Sequence, residues 1–215
     1  MIENHLESIT YYIDSFLATA QLPPLDAATS ARFADYLALI LRWNARINLT
    51  SVRDPEGIVQ RHFLESIACA RLLPREIPTL LDFGSGAGFP GIPIALCRPE
   101  IDVTLAESQG KKAAFLQEAV RTLGLSVQIH AGRAETLATQ FDCATLRAVD
   151  RMNLAVQAAA RLVRIGGRLA PLTTRAAHLK IQAAVGAGFA WSAPASLPGS
   201  DERVLLLATR LATQV

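Results

Sequence analysis

Residues 80–93, Leu80-Leu81-Asp82-Phe83-Gly84-Ser85-Gly86-Ala87-Gly88-Phe89-Pro90-Gly91-Ile92-Pro93, restrict the chain more than any other stretch. A short apolar run ends in a carboxylate, a glycine-rich turn follows at once, and a second apolar segment closes at Pro99. That order reads as strand, tight loop and short helix. Gly84, Gly86 and Gly88 lack a Cβ, so the backbone can take positive φ there and a ligand can approach closely. In an open α/β sheet such a loop lies at the carboxyl end of a strand, where ligands bind.

The letters Gly86-x-Gly88-x-x-Gly91 match the dinucleotide fingerprint, but out of register. The fingerprint should begin where the strand ends, at Gly84, and its third glycine would then fall on Phe89. A pyrophosphate also needs free N–H groups at the helix N-terminus, and Pro90 and Pro93 remove two of them. Asp82 adds negative charge where phosphates would lie. A cationic ligand reverses these objections, and S-adenosylmethionine carries an ammonium, a sulfonium and no phosphate. Asp82, Gly84 and Gly86 are therefore candidate contacts. A second strand candidate, Val103-Thr104-Leu105-Ala106-Glu107, also ends in a carboxylate. It lies about 20 residues past the glycines, where a nucleotide-binding α/β unit places its ribose-hydroxyl acceptor. Glu107 also fits a cap on the next helix, and the two roles are compatible.

At 215 residues, half of them hydrophobic, the chain suits one domain with an extension. The longest apolar runs are far too short to span a bilayer. Met1-Ile2-Glu3-Asn4-His5 is not basic and leads into no apolar stretch, which argues against a signal peptide. Cys69, Cys97 and Cys143 are widely spaced in apolar segments, as expected of buried thiols in a reducing cytoplasm, with no metal site. The net charge of +2 permits an RNA partner without arguing for one.

Residues 1–78 read as a helical extension packed on the core. Leu6, Ile9, Tyr12, Ile13, Phe16 and Leu17 recur at helical spacing, and Pro23-Pro24 breaks that helix. Phe33, Tyr36, Leu37, Ile40, Leu41, Asn44 and Ile47 form the stripe of a second helix. Asp54-Pro55 opens a third, which runs to about Leu73. From 79 to 215 strands and helices alternate. The strand candidates are 79–83, 102–107, 126–130, 141–147, 167–173 and 203–209, with helices at about 90–97, 111–123, 153–164 and 176–186. This alternation predicts a parallel α/β sheet with helices on both faces. Gly124 reads as a helix C′ residue, Gly166-Gly167 as a turn before the fifth strand, and the last strand as an antiparallel edge.

Further candidates lie at the expected strand ends. Gly132-Arg133-Ala134-Glu135 follows the third strand, where Glu135 or nearby N–H groups fit the adenine edge; the plainer reading is a helix start with a surface Glu. Arg147 ends the apolar fourth strand, Phe141-Asp142-Cys143-Ala144-Thr145-Leu146-Arg147. Charge is rare in such a strand unless paired. Arg147 fits the cofactor carboxylate, an RNA phosphate or the guanine O6 edge, or else an ion pair with Asp82 or Asp150. Arg61-His62 on the third helix and Lys111-Lys112 at a helix start are either RNA contacts or, respectively, packing and solvated residues.

These residues resemble a family. Trp43-Asn44-x-x-Ile47-Asn48-Leu49-Thr50, Arg61-His62-Phe63-Leu64-Glu65-Ser66, the loop from Gly84 to Pro93, Glu107-Ser108-x-x-Lys111-Lys112, Gly132-Arg133-Ala134-Glu135 and Arg147-Ala148 are similar to motifs of the bacterial small-subunit ribosomal RNA guanine-N7 methyltransferases, the RsmG (GidB) family. The resemblance implies a Rossmann-like, seven-stranded S-adenosylmethionine-dependent methyltransferase sheet with an N-terminal helical extension. It implies cofactor contacts from Gly84, Phe89, Ala134, Glu135 and Arg147, with Glu107 on the ribose. It implies methyl transfer to N7 of a guanine in the 530 loop of 16S rRNA, free or in an assembling small subunit, by a monomeric cytoplasmic enzyme. Arg147 is then the catalytic residue by orientation and charge stabilisation, with no general base, and Arg61, His62, Lys111 and Lys112 face RNA. Where family members often carry Lys-Gly after the fifth strand, this chain has Leu172-Thr173-Thr174-Arg175, which hands the phosphate contact to Arg175. The rivals are a methyltransferase of a small molecule or protein, a nicotinamide oxidoreductase, and a non-enzymatic nucleotide-binding module.

Overall fold

The computed structural model describes residues 2–212, with side chains from Ile9 onward. Met1, the side chain of Leu6 and residues 213–215 lie outside the described residues. Helix α1 (Ile2–Thr19) precedes α2 (Ala27–Asn44), whose first turn is capped by Asp26 accepting from the Thr29 N–H at 2.9 Å. α2 buries Phe33, Tyr36, Leu37 and Ile40 as its stripe predicts. It stops at Asn44, earlier than a stripe to Ile47 implies. The Asn44 side-chain oxygen accepts from the N–H groups of Leu49 and Thr50 at 3.0 and 3.1 Å and folds the chain back.

The third helix, expected as one piece, is divided. Helix α3 (Pro55–Ile58) starts on Asp54, which accepts from the Gly57 N–H at 2.6 Å. A π turn follows at Val59–Phe63, and α4 (Leu64–Leu72) continues from it. The wide turn leaves the His62 carbonyl to the Ser66 hydroxyl, at 2.6 Å. Such turns have no signature in apolar spacing and occur often beside functional sites.

The sheet strands are β1 (Thr79–Phe83), β2 (Asp102–Ala106), β3 (Gln128–His130), β4 (Phe141–Arg147), β5 (Val163–Thr174), β6 (Phe189–Trp191), β7 (Ala195–Ser196), β8 (Arg203–Leu205) and β9 (Ala208–Arg210). Helices α5 (Gly91–Cys97), α6 (Gly110–Thr122), α7 (Met152–Arg161) and α8 (His178–Val185) connect them. β3-β2-β1-β4-β5 are parallel neighbours. β8 and β9, the two halves of the last expected strand, lie antiparallel to β5. They part where the Leu206 N–H donates to the Pro171 carbonyl at 3.0 Å. β6 and β7 pair outside them as the broken edge. The sheet thus has seven strand positions, the last two interrupted. At three and two residues, β6 and β7 are too short to carry a period.

Two details differ from expectation or sharpen it. Gly166-Gly167 lie inside β5, not in a turn before it, because Phe141 pairs with Val163 while Cys143 pairs with Arg168. Three extra residues bulge out there, with Gly166 at φ +77°. Gly124 closes α6 as expected: its N–H reaches the Arg121 carbonyl, and the Leu125 N–H reaches that of Val120.

Parallel strands buried on both faces build two cores. Leu80, Val103, Leu105 and Leu172 join the N-terminal helices in one. Leu81, Phe83, Ala144 and Leu146 pack with α7 and α8 in the other. The first core runs unbroken across residues 78 and 79, so α1–α4 share their apolar interior with the sheet. Polar ties fix α2 there: the Tyr36 hydroxyl donates to the Ala87 carbonyl, and Trp43 Nε1 to Glu118 at 2.9 Å.

Candidate active site

The glycine turn takes its shape from β2. The N–H groups of Gly84 and Ser85 both donate to the Ala106 carbonyl at 3.0 Å. Gly84, Gly86 and Gly88 have φ of +72°, +58° and +89°. Their surroundings differ. A Cβ on Gly88 would lie 2.6 Å from Ile92 Cδ1 and 2.7 Å from the Tyr36 hydroxyl, so this glycine serves packing. A Cβ on Gly86 would meet only the Gly84 carbonyl, at 3.9 Å, so its outer face is open to a ligand.

Asp82, expected at the ligand, stands behind this turn instead. It is fully buried and does not line the cavity. Its carboxylate accepts from the Gly91 N–H at 3.1 Å and from the Thr145 hydroxyl at 3.0 Å. Burial pushes its pKa up to about 6, against the pull of these donors. Asp82 therefore fixes the start of α5 to β4.

In front of the turn a cavity of about 650 Å³ opens at the carboxyl ends of β1, β2 and β4. Gly84, Gly86 and Phe89 form its back wall. Glu107 stands beside them, its two oxygens accepting from the Gly86 N–H at 2.8 Å and the Gln109 N–H at 2.7 Å. It thus braces the turn ahead of α6, whose N-cap residue is Gln109 and not Glu107, while a carboxylate edge faces the cavity. Ala134, buried, and Glu135, exposed and paired with Arg133 at 3.1 Å, bring in the loop after β3. Arg61 and His62 of the π turn with Leu49-Thr50-Ser51, and Lys112 of the first turn of α6, complete the lining. Lys111 projects to solvent outside the cavity, one helical position away from Lys112.

Arg147 lies in the cavity wall as its strand-end position predicts, but its ion-pair partner is neither Asp82 nor Asp150. Its guanidinium bonds Glu65 at 2.8 Å and the Arg61 carbonyl at 3.0 Å, and sits 5.9 Å from the Phe89 ring centre. Glu65 is fully buried and also ion-paired with Arg203. Burial raises its carboxyl pKa, and the two guanidinium groups pull it back. Glu65 and Arg203 escaped the sequence reading. The available signal was a lone carboxylate between Phe63-Leu64 and Ser66-Ile67, a charge that an apolar setting requires to be paired.

His62 is buried and packs against Phe89 with ring centres 4.8 Å apart and planes tilted by 31°, its Nε2 2.7 Å from the Thr50 hydroxyl. Burial first, then Arg147, Arg61 and Arg203, lower its pKa to about 3. It is a neutral imidazole, unable to meet a phosphate as a cation. Arg175 is also elsewhere. It bonds the Asp201 carbonyl at 2.9 Å and the Ser196 hydroxyl at 2.6 Å, tying the end of β5 to the sheet edge away from the cavity.

A parallel sheet in this order with an antiparallel final strand, and a glycine-edged crevice over β1 and β2 flanked by a strand-end carboxylate, define an S-adenosylmethionine-dependent methyltransferase. Solved structures share the architecture. A methyltransferase from Pyrococcus furiosus matches with a TM-score of 0.62 at 14% identity, over 85% of this chain and 98% of that one. TrmN from Thermus thermophilus matches at 0.58 and 22% identity, over 71% and 53%. The model of the GidB family, rRNA small subunit methyltransferase G, matches residues 29–187, and the chain belongs to that family. The ribosomal RNA small subunit methyltransferase G of Roseiflexus castenholzii is 39% identical over 209 residues, covering 91% of this chain and 89% of that one. Its counterpart in Xanthomonas euvesicatoria pv. vesicatoria is 42% identical over 195 residues, covering 87% and 90%. Among the described residues no helix is long and apolar enough to cross a membrane.

Proposed function

We propose that this enzyme methylates N7 of a guanine in the 530 loop of 16S rRNA, as a cytoplasmic monomer with S-adenosylmethionine as donor. The observation that carries the reading is a cavity lined by Arg61, Lys112 and Arg147 beside the strand-end carboxylate Glu107, whose one histidine is buried against Phe89 and the Thr50 hydroxyl. Such a site suits an acceptor that gives up no proton. Guanine N7 offers a free lone pair, so transfer needs orientation and charge stabilisation but no base.

The residues fit the donor. Gly86 leaves its outer face open, and Gly84 and Phe89 continue the wall. Glu107 keeps free lone pairs for ribose hydroxyls, and Ala134 with Glu135 flanks the adenine position. The cofactor supplies a methyl group on a sulfonium. Arg147 holds its charge and planar fork beside the reacting region, where it orients by hydrogen bonding and balances charge developing on the guanine. A donor on N7 would block the lone pair, so Arg147 addresses O6 or phosphate. Phe89 and His62 pack ring against ring and narrow the access of water to the cavity. Arg61 and Lys112 at the rim meet phosphates, with Lys111 extending that face.

The test is to map N7-methylguanine in 16S rRNA from cells with and without the gene, and to repeat the transfer with purified protein on free rRNA and on small subunits. Loss of the mark in the deletion and its restoration in vitro are expected. A mark that persists overturns the assignment, and transfer to small molecules or protein alone points to a different acceptor.

A further inference from the structure

Beside the main cavity lies a smaller one of about 260 Å³. The two share Arg61, Arg147, Ala148 and Val149 as a common wall. The smaller cavity opens at the ends of β4 and β5. Its volume is below the roughly 300–1,000 Å³ of pockets that hold whole ligands, which suits a single planar ring system. Met152, Leu172 and Leu197 give it apolar sides, and charge gathers at one end only.

That end is the triad described above. Glu65 has 1% of its side chain exposed, against 11% for Arg147 and 25% for Arg203. A buried carboxylate between two guanidinium groups fixes the direction of both. Two arginines against one carboxylate leave one positive charge and several N–H donors over. Arginine has no acceptor. Donors without acceptors match a carbonyl such as guanine O6 and reject the amino group that adenine carries at the same position. Thr173 and Thr174 also line the cavity, Thr174 directly across the β5–β8 ladder from Arg203, and neither hydroxyl makes a side-chain hydrogen bond among the described residues. Successive strand residues face opposite sides, so it is the Thr174 oxygen, on the Arg203 side, that suits the N1–H donor next to O6 on the same base.

We propose that the smaller cavity takes the acceptor guanine, swung out of the RNA stack, and that Glu65 is a positioning residue that aims Arg147 and Arg203 at O6. The proposal rests on methyl transfer to guanine N7. N7 adjoins O6 on the same edge, so holding O6 at the triad leaves N7 for the wall shared with the larger cavity. In the transfer the N7–carbon bond forms as the sulfur–carbon bond breaks. The sulfur keeps that electron pair, the positive charge passes to the guanine ring, and no proton moves. A stacked base cannot enter a recess of this shape, so extrusion precedes transfer.

The experiment uses the full-length protein and 16S rRNA carrying 6-thioguanosine at the target, with sulfur in place of O6. Long-wave ultraviolet light should crosslink it to peptides that carry Met152 or Leu172–Thr174. Crosslinks confined to Leu49–Ser51, across the larger cavity, would overturn the placement. Met152→Trp fills only the smaller cavity. It should lower single-turnover transfer at least about 100-fold while calorimetry shows unchanged cofactor affinity. Unchanged transfer would overturn the proposal. Wild-type protein should reject a 2,6-diaminopurine target, which has an amino group for O6, by at least about 100-fold relative to guanine. Glu65→Gln should shrink that ratio, whereas a purely structural Glu65 would leave it intact. Wild-type protein that never methylates the guanine refutes the proposed function itself. Wild-type activity with an indifferent Met152→Trp refutes the pocket alone.

Discussion

Replacing Asp82 by Asn isolates the cost of a buried carboxylate. Asp82 has no exposed surface, and its pKa stands at about 6 against an ordinary 3.8. The folded state therefore holds a proton more tightly than the unfolded chain does. Stability from that proton is complete below about pH 3.8 and is lost as pH rises through about 6. A gap of about 2 units at about 1.36 kcal/mol each makes the ionised group about 3 kcal/mol less compatible with the fold than the neutral one. Asn is neutral throughout and nearly isosteric. Its oxygen can still accept from the Gly91 N–H. Its amide can donate to the Thr145 hydroxyl, which already lies 3.4 Å from the Leu81 carbonyl and can turn its proton there. Urea unfolding of both proteins in steps from about pH 4 to pH 7.5 gives the difference, which cancels the other titrating groups. Wild type should lose about 2.5 kcal/mol of the full difference relative to Asp82→Asn across that window, the rest having gone below pH 4, and hold level above it. A difference independent of pH would show that the Gly91 and Thr145 donors fully compensate the charge, and a difference of opposite sign would show a lowered pKa.

Gly86→Val should abolish cofactor binding in calorimetric titration, at a folding cost of up to about 3 kcal/mol because φ is +58° and valine is β-branched; unchanged affinity in the folded variant would place the cofactor elsewhere. Glu107→Ala should weaken cofactor binding by about 1–3 kcal/mol, and unaltered affinity would leave Glu107 as a brace between the Gly86 and Gln109 N–H groups alone. The His62 imidazole, with its pKa lowered to about 3, stays neutral at working pH. Single-turnover rate should therefore be flat from about pH 6 to pH 8.5, and a sigmoid abolished by His62→Ala would make that residue an acid–base catalyst. Lys111→Ala with Lys112→Ala should flatten the fall of RNA affinity with salt; an unchanged slope would assign both lysines to a solvated face.

The local signals that read well share a cause. A glycine at positive φ, an Asp ahead of Pro, and an apolar run closed by a charge each act over a few residues. The turn at Gly84–Gly88, the cap at Asp54 and the strand end at Arg147 were accordingly legible. Placing Glu107, Ala134 and Arg147 around one cavity needed only the rule that parallel strands present their carboxyl ends together, whereas Arg61 is brought there by the π turn of the N-terminal helices.

What the sequence by itself determined is the alternation, the glycine turn and the identity of the charged residues at strand ends. Tertiary structure alone decided which way those charges face and what they meet. Asp82 and Glu107 both end strands beside the same turn, yet one is sealed behind it and the other reaches the cavity. The choice depends on Gly91, at the far end of the turn, and on Thr145, 63 residues away and close only after folding. Glu65 lies 82 residues from Arg147 in the chain. Their pairing follows from the cost of burying either charge alone, a cost that exists only once the helices close over the sheet.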